Sequence, residues 1–462
     1  MSEKKVVADN NGGIEKFGYK QELKRALTLK DIVLYGMLFM VIIAPQSIYG
    51  EIQLASGGLT PLVYLVGAIA ISFTALSYML MSNRFPIAGS VYAYVQRGIN
   101  PHIGFIAGWL ILLDYVFVPS LLYVMVAGWG VALIPAIPWF VWILIFVIFN
   151  TIVNVRGMEM TKGVDWVMFF IESGILLVFV IVGLKYVLGG GGYGSLSVAP
   201  FYQPGKIDLN FIAAATSIAC LSFLGFDGMS TLAEETVKPE KTVGKGIVIA
   251  LIGITVVFLL QTYVAALIQP DWKNIDPATG FFDAAAAAGG ETLRIILLVI
   301  NILAVGVANI MAAQTATARM LYGMGRDGVI PKIFAKIHPK YQTPYVGTII
   351  IGLISCILPL FMSLSQLVRL VNFGALSSFI LLNVAVFVFF FIKEKRRTTF
   401  GDILKYLISP ICGVAILMFV FSGFESLTYI IGFSWLVIGI IIGAVKSKGY
   451  KEVPEAFRKL EV

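Results

Sequence analysis

Apolar residues fall along this chain in long blocks separated by short polar stretches. A helix that crosses a bilayer needs about 20 consecutive, mostly apolar residues. Windows of that length lie near 31–52, 59–82, 101–130, 137–154, 163–188, 209–233, 245–268, 290–321, 343–363, 366–392, 404–422 and 426–445. They predict twelve spanning helices. The longest stretches outside them are the first 30 residues, 189–208 and 269–289. None is long enough for a separate folded domain. The first 30 residues are polar and charged, with no short cleavable apolar core, so the first helix is expected to remain in the mature chain.

Features between the blocks are bland. The glycine run Gly189–Gly192 with Gly194 follows an apolar helix rather than a strand and has no Lys-Ser/Thr after it. It reads as an outer loop, not a phosphate cradle. The Ala-rich stretch from Phe282 to Gly290 is too short to span. It is either an interfacial or re-entrant helix over an outer mouth, or the start of the eighth span. Trp139, Trp142 and Trp272 near span boundaries fit an aromatic belt.

Composition agrees with the pattern. Of 462 residues, 58% are apolar or aromatic and 13% charged, far from the quarter charged of soluble domains. An ordinary soluble enzyme, a disordered chain and a disulfide scaffold are excluded. The three cysteines, Cys220, Cys356 and Cys412, sit in apolar runs without framework or metal spacing. With only His102 and His338, a histidine metal site or triad is hard to build.

The net charge of +8 is mostly topology. Twelve spans put both termini on one side. That side collects the lysines and arginines of the first 30 residues, Arg84, Arg97, Arg156, Lys162, Lys238, Lys241, Lys245, Arg326, Lys332, Lys336, Lys340, the cluster 393–405 and the tail. The other side keeps Lys185, Lys206, Lys273, Arg294 and Arg369. Cytoplasmic loops carry such an excess, so both termini are expected in the cytoplasm, and no nucleic-acid partner is needed.

Helix breakers inside apolar spans point to cavities, because unpaired backbone is tolerated at membrane depth only against protein or water. The first span contains Ala44-Pro45-Gln46-Ser47-Ile48-Tyr49-Gly50, and the sixth contains Ser222-Phe223-Leu224-Gly225-Phe226-Asp227-Gly228. A lone Pro or Gly pair is usually only a kink. Two breaks opening two sets of five helices are the pointer to an inverted-repeat transporter. The domain reading follows: an arm over 1–30, a core over 31–392 made of 31–188 and 209–392, two appended helices within 393–446, and a tail over 447–462.

Three carboxylates lie deep in the spans, Asp114, Glu172 and Asp227, with no Lys or Arg as deep. An intramembrane charge costs roughly 2.5–3.5 kcal/mol even on the mild insertion scale. Such acids are neutral, hydrated or faced by a cation. They suit an amine, a diamine or a metal cation. A zwitterionic amino acid stays open, because half-helix N-termini bind a carboxylate without a base.

Several motifs resemble the amino acid–polyamine–organocation transporters. They are Arg84-Phe85-Pro86-Ile87-Ala88-Gly89-Ser90 with Gly104-Phe105-Ile106-Ala107-Gly108-Trp109, Ser222 to Asp227 with Glu234-Glu235-Thr236, and Ala318-Arg319-Met320-Leu321-Tyr322-Gly323. Within that superfamily Leu112-Leu113-Asp114-Tyr115, Asn372-Phe373-Gly374 and Asn100-Pro101-His102 look most like bacterial putrescine importers. Ala44-Pro45-Gln46-Ser47 departs from the Thr-Pro-Met-Thr type of enterobacterial members. The resemblance implies the leucine-transporter fold, all α-helical, with ten core helices and two appended. It implies that Asp227 lies near a substrate amine. It also places Glu172 where many amino acid relatives carry a lysine that replaces sodium, so Glu172 is expected to carry H⁺, with Na⁺ the lesser alternative.

The expected activity is uptake of a small amine by alternating access, with a proton-coupled amino acid carrier as the alternative. The expected substrate contacts are Ala44, Pro45, Gln46, Ser47, Tyr49, Gly50, Asp114, Tyr115, Phe223, Gly225, Phe226, Asp227, Asn301 and Asn372, with Glu172 and Asp227 coupling. Asp114 and Tyr115 diverge by about 100° on a helix, and Tyr115 is favoured for direct contact. Phe223 and Phe226 either gate the pocket, give cation–π contact or simply pack. Asn301 and Asn372 either line the cavity or join helices. No cofactor, metal or enzymatic constellation is read from the sequence. Oligomeric state is left open, a monomer being compatible with all of this.

Overall fold

A computed structural model describes residues 23–452, apart from 89, 206, 278, 329 and 363. Most of the charged N-terminal arm, the end of the tail, Lys206 and Gly89 of the family motif therefore lie outside the described residues. Among these residues the chain is helical, with one isolated bridge between Leu27 and Thr236 and no strand.

Every predicted apolar block is helical. The first is two helices, α1 (Leu29–Phe39) and α2 (Ala44–Ala55), bent by 42°. Then come α3 (Thr60–Arg84), the short α4 (Ser90–Gly98), α5 (Pro101–Leu133), α6 (Trp139–Arg156) and α7 (Met158–Leu188). The sixth block is α8 (Leu209–Phe223) followed by a 3-10 stretch, Phe226–Glu235. The seventh is α9 (Pro239–Ile268). The eighth is α10 (Gly280–Leu303), a π-helical turn Ala304–Asn309 and α11 (Ile310–Arg326). α12 (Tyr345–Ile357) and α13 (Leu364–Val386) follow, then α14 (Phe400–Ile403), α15 (Ser409–Phe421) and α16 (Ser426–Lys446). Ten helical segments are long and apolar enough to cross a membrane; the bent first pair and the shorter Tyr345–Leu360 account for the rest.

Burial separates core from rim. The apolar window of Leu209–Glu235 is 67% buried, whereas that of Ser426–Lys446 is 22% buried. The last helix therefore presents most of its apolar surface outward, as a lipid-facing helix does. It is pinned to α5 by a reciprocal clasp: Trp109 Nε1 donates to the Trp435 carbonyl and Trp435 Nε1 to the Trp109 carbonyl, both at 2.9 Å.

The Ala-rich stretch resolves toward one of its two readings. Gly290 has φ 75° inside α10, so residues 280–289 form a short helix of their own before the eighth crossing. Phe281 and Phe282 are buried, and Phe281 packs edge-on to Tyr49 of α2 at 5.8 Å. The loop before it reaches α2 as well: a Cβ on Gly50 would strike the Asp276 and Pro277 carbonyls.

The two breaks have distinct causes. Pro45 sits in the first turn of α2, where its missing N–H costs nothing and its fixed φ starts a helix. The bend itself precedes it, with Val41 at φ 53°. In the sixth block Gly225 has φ 113°, a conformation open to glycine without strain. A Cβ on Gly225 would lie 2.9 Å from Phe39 Cγ, and one on Gly228 would overlap the Phe39 ring. Small residues thus let the end of α1 press against the broken sixth segment.

At the end of the bundle where α11 stops, buried ion pairs join it to the broken sixth segment. Arg319 is paired with Glu235. Arg326 makes two 3.0 Å bonds to Glu234, which also accepts from the Ala88 N–H at 3.0 Å. The Ala26 and Leu27 amides bond to the Glu235 carbonyl, so the entering chain seals the same end.

Candidate functional site

A cavity lies between the two breaks, α5 and the eighth span. It encloses about 750 Å³, counting its open mouth. Its wall includes Ala44 and Ser47 of α2, Asp114 and Tyr115 of α5, Gly225 and Asp227, and Asn309 and Thr317. Val118, Leu121, Leu122 and Met125 continue the wall along α5. The cavity therefore runs from the acids along α5 toward the C-terminal end of that helix. Among the described residues, no Lys, Arg or His stands on this wall.

Asp227 is held firmly. The Tyr115 hydroxyl donates to Asp227 Oδ2 at 2.6 Å and lies 3.1 Å from Ser90 Oγ. Asp227 lies in the first turn of the 3-10 stretch, where the positive dipole end of a helix favours a carboxylate. Asp114 is 4% exposed and near enough to Asp227 for their charges to interact. Adjacent helix positions were expected to diverge; the cavity wraps this side of α5 widely enough to touch both Asp114 and Tyr115.

α5 is irregular where it carries these residues. Pro119 lies inside it and has no N–H for the Tyr115 carbonyl four residues back. Thr317 Oγ1 supplies the missing donor at 2.6 Å. That bond ties α11 to α5 at the site.

The remaining sequence candidates lie elsewhere. Gln46 is 1% exposed and consumed by a relay: Asn301 Nδ2 donates to Gln46 Oε1 at 2.8 Å, and Gln46 Nε2 to Gln261 Oε1 at 3.3 Å. Gln261 Nε2 in turn donates to the Ile42 carbonyl at 2.8 Å, a group freed by the first break. These amides join helices. Pro45 starts α2 just after the bend, and Tyr49 and Gly50 contact helix 280–289 and the loop before it. Phe223 and Phe226 are fully buried. Phe223 packs with Tyr64 and Phe258, and Phe226 with Tyr78 and Phe379, so the packing reading describes both. Asn372 faces the Ser217 carbonyl at 3.5 Å, away from the cavity. Glu172 is buried in α7 at 1% exposure and is not on the wall. Sequence reasoning passed over Asn309, Ser222 and Thr317, which are on it. Their polarity inside apolar spans was a signal, but the π turn before Asn309 hid which way that residue faces.

Among the described residues, no cluster of His, Cys, Asp and Glu is fit to hold a metal ion.

Comparison with known proteins agrees with this architecture. A sequence profile of the amino acid permease family matches residues 32–455. The chain is 35% identical over 444 residues to the low-affinity putrescine importer PlaP of Escherichia coli K12, covering 94% of this chain and 96% of that one. It is 27% identical to the branched-chain amino acid permease BcaP of Bacillus subtilis, over 94% and 95% of the two chains. The methylthioribose transporter of the same species is also 27% identical, over 91% and 93%. All three are transporters that match over nearly their whole length, and the chain is a multi-pass, all-helical membrane protein of the amino acid permease family, within the amino acid–polyamine–organocation superfamily.

Proposed function

We propose that this protein is a secondary transporter that imports a small cationic amine, putrescine-like, by alternating access and coupled to protons. The reading rests on the cavity wall, where two carboxylates stand together with no basic side chain among the described residues. An ammonium is the natural partner of that pair, and a lone anion would be repelled. The substrate amine is placed at Asp227 and Asp114, with the Tyr115 hydroxyl fixing the Asp227 carboxylate.

Similarity to a branched-chain amino acid permease favours a second reading, a proton-coupled amino acid carrier. A zwitterion needs donors for its carboxylate. At the start of α2, Pro45 has no N–H, and the Ala44 and Gln46 amides already bond to the Val41 and Ile43 carbonyls. The other broken-helix N-terminus already carries a carboxylate, Asp227, in its first turn. The first end offers no free donor in the manner of helix-terminal anion sites, and at the second an acid opposes a substrate carboxylate, so the amine is preferred.

The two broken spans head the two halves, 31–188 and 209–392, of an inverted-repeat core to which the last two helices are appended. The basic end of the bundle is placed in the cytoplasm of a cell whose plasma membrane holds the protein, with the cavity facing outward. Glu172 and Asp227 are the proposed proton carriers. Uptake of labelled putrescine into vesicles, competed by other amines or by amino acids, separates the two readings.

A further inference from the structure

The eighth span is interrupted beside the cavity. Residues Ala304–Asn309 form a π-helical turn between α10 and α11, a feature that clusters at functional sites. Asn309 ends that turn on the cavity wall and is 5% exposed. Its Nδ2 donates to the Phe39 carbonyl at 3.3 Å, which anchors the amide. Its Oδ1 is buried and takes no hydrogen bond from the described residues. A buried acceptor without a donor is costly to keep. Met40 is on the same wall, one residue beyond Phe39, and its carbonyl accepts no hydrogen bond from the described residues either.

Position along α11 separates these oxygens from the acids. Asn309, Ala313 and Thr317 all face the cavity, as fourth-residue spacing dictates. Thr317 is level with Tyr115 through its 2.6 Å bond to that carbonyl. Asn309 is eight residues earlier, about 12 Å of helix rise. The cavity thus has an acidic pole at Asp114 and Asp227 and an uncharged pole lined by Asn309 and Met40.

We propose that Asn309 accepts the second ammonium of a linear diamine and so separates diamines from monoamines. This rests on the amine reading above. Two carboxylates already balance two ammonium charges, and a carbonyl dipole orients the second without adding a third charge. An apolar body suits the aliphatic chain between them.

The test is calorimetric titration of the purified full-length protein with 1,4-diaminobutane and n-butylamine in Na⁺-free buffer. Wild-type protein is expected to prefer the diamine. Asn309→Leu is expected to weaken diamine binding by about tenfold or more, as for loss of a hydrogen bond to a charged group, and to leave butylamine binding unchanged. Asn309→Asp is expected to raise the preference for the diamine. An equal loss of both amines in Asn309→Leu would show that the residue only supports the helix and would overturn the inference. So would unchanged diamine binding in that variant, or a wild-type protein that binds both amines equally. A diamine preference that appears only with added Na⁺ assigns these oxygens to the metal and also overturns it. If wild-type protein binds neither amine, the amine reading falls and takes this inference with it.

Discussion

Asp227 sits where a broken helix begins, and its carboxyl accepts from the Tyr115 hydroxyl at 2.6 Å. An amide in its place still accepts from Tyr115 but loses the charge that pairs with an ammonium. Asp227→Asn is therefore expected to lower amine uptake by about two orders of magnitude, at the upper end for a lost charge-assisted hydrogen bond, while the purified variant keeps its thermal unfolding transition. Normal uptake in that variant would remove Asp227 from the substrate site. The acids were legible in the sequence because a carboxylate inside an apolar span is rare and expensive. The amides were not. Gln46 and Asn301 look as available as Asn309, yet Gln46 and Asn301 bond to each other while Asn309 reaches the wall. Only the packing of α2 against α9 and α10 decides between them.

Breaks in the first and sixth spans give the cavity its shape, and they depend on close approach. Gly228 admits the Phe39 ring where any Cβ would overlap it. Gly228→Ala is expected to destabilise the protein by about 1–3 kcal/mol, as overpacking of a filled core does, read as a lower unfolding temperature in detergent. A wild-type unfolding temperature would show that the two breaks are not tightly packed. The glycine-flanked break was readable from sequence, since Gly225 holds φ 113°. The first break was only half readable. Pro45 marks the start of α2, whereas the bend falls at Val41, a β-branched residue at φ 53°, where tertiary packing overrides a local preference. The π turn at Ala304–Asn309 left no signal in the apolar pattern, because one extra residue in a turn leaves a buried helix equally apolar.

Across the whole molecule, twelve apolar blocks became the helical framework because bilayer thickness fixes their length. What sequence could not give was the lateral arrangement, which sets α16 at the rim and the broken spans in the middle. Buried pairs Arg319–Glu235 and Arg326–Glu234 close one end, and the cavity runs toward the other. Glu172, buried in α7, is off the cavity wall, so a coupling role must act apart from direct substrate contact. Glu172→Gln cannot carry a proton there. It is expected to lose the stimulation of uptake by an inward proton gradient while still binding amine. An unchanged pH profile would argue against that role. The central claim is that the acid-lined cavity carries an amine. It is tested most directly by uptake of labelled putrescine into vesicles containing the purified protein. The account predicts saturable uptake, competed by other polyamines and not by branched-chain amino acids. Absence of putrescine uptake, with amino acids carried instead, would contradict it.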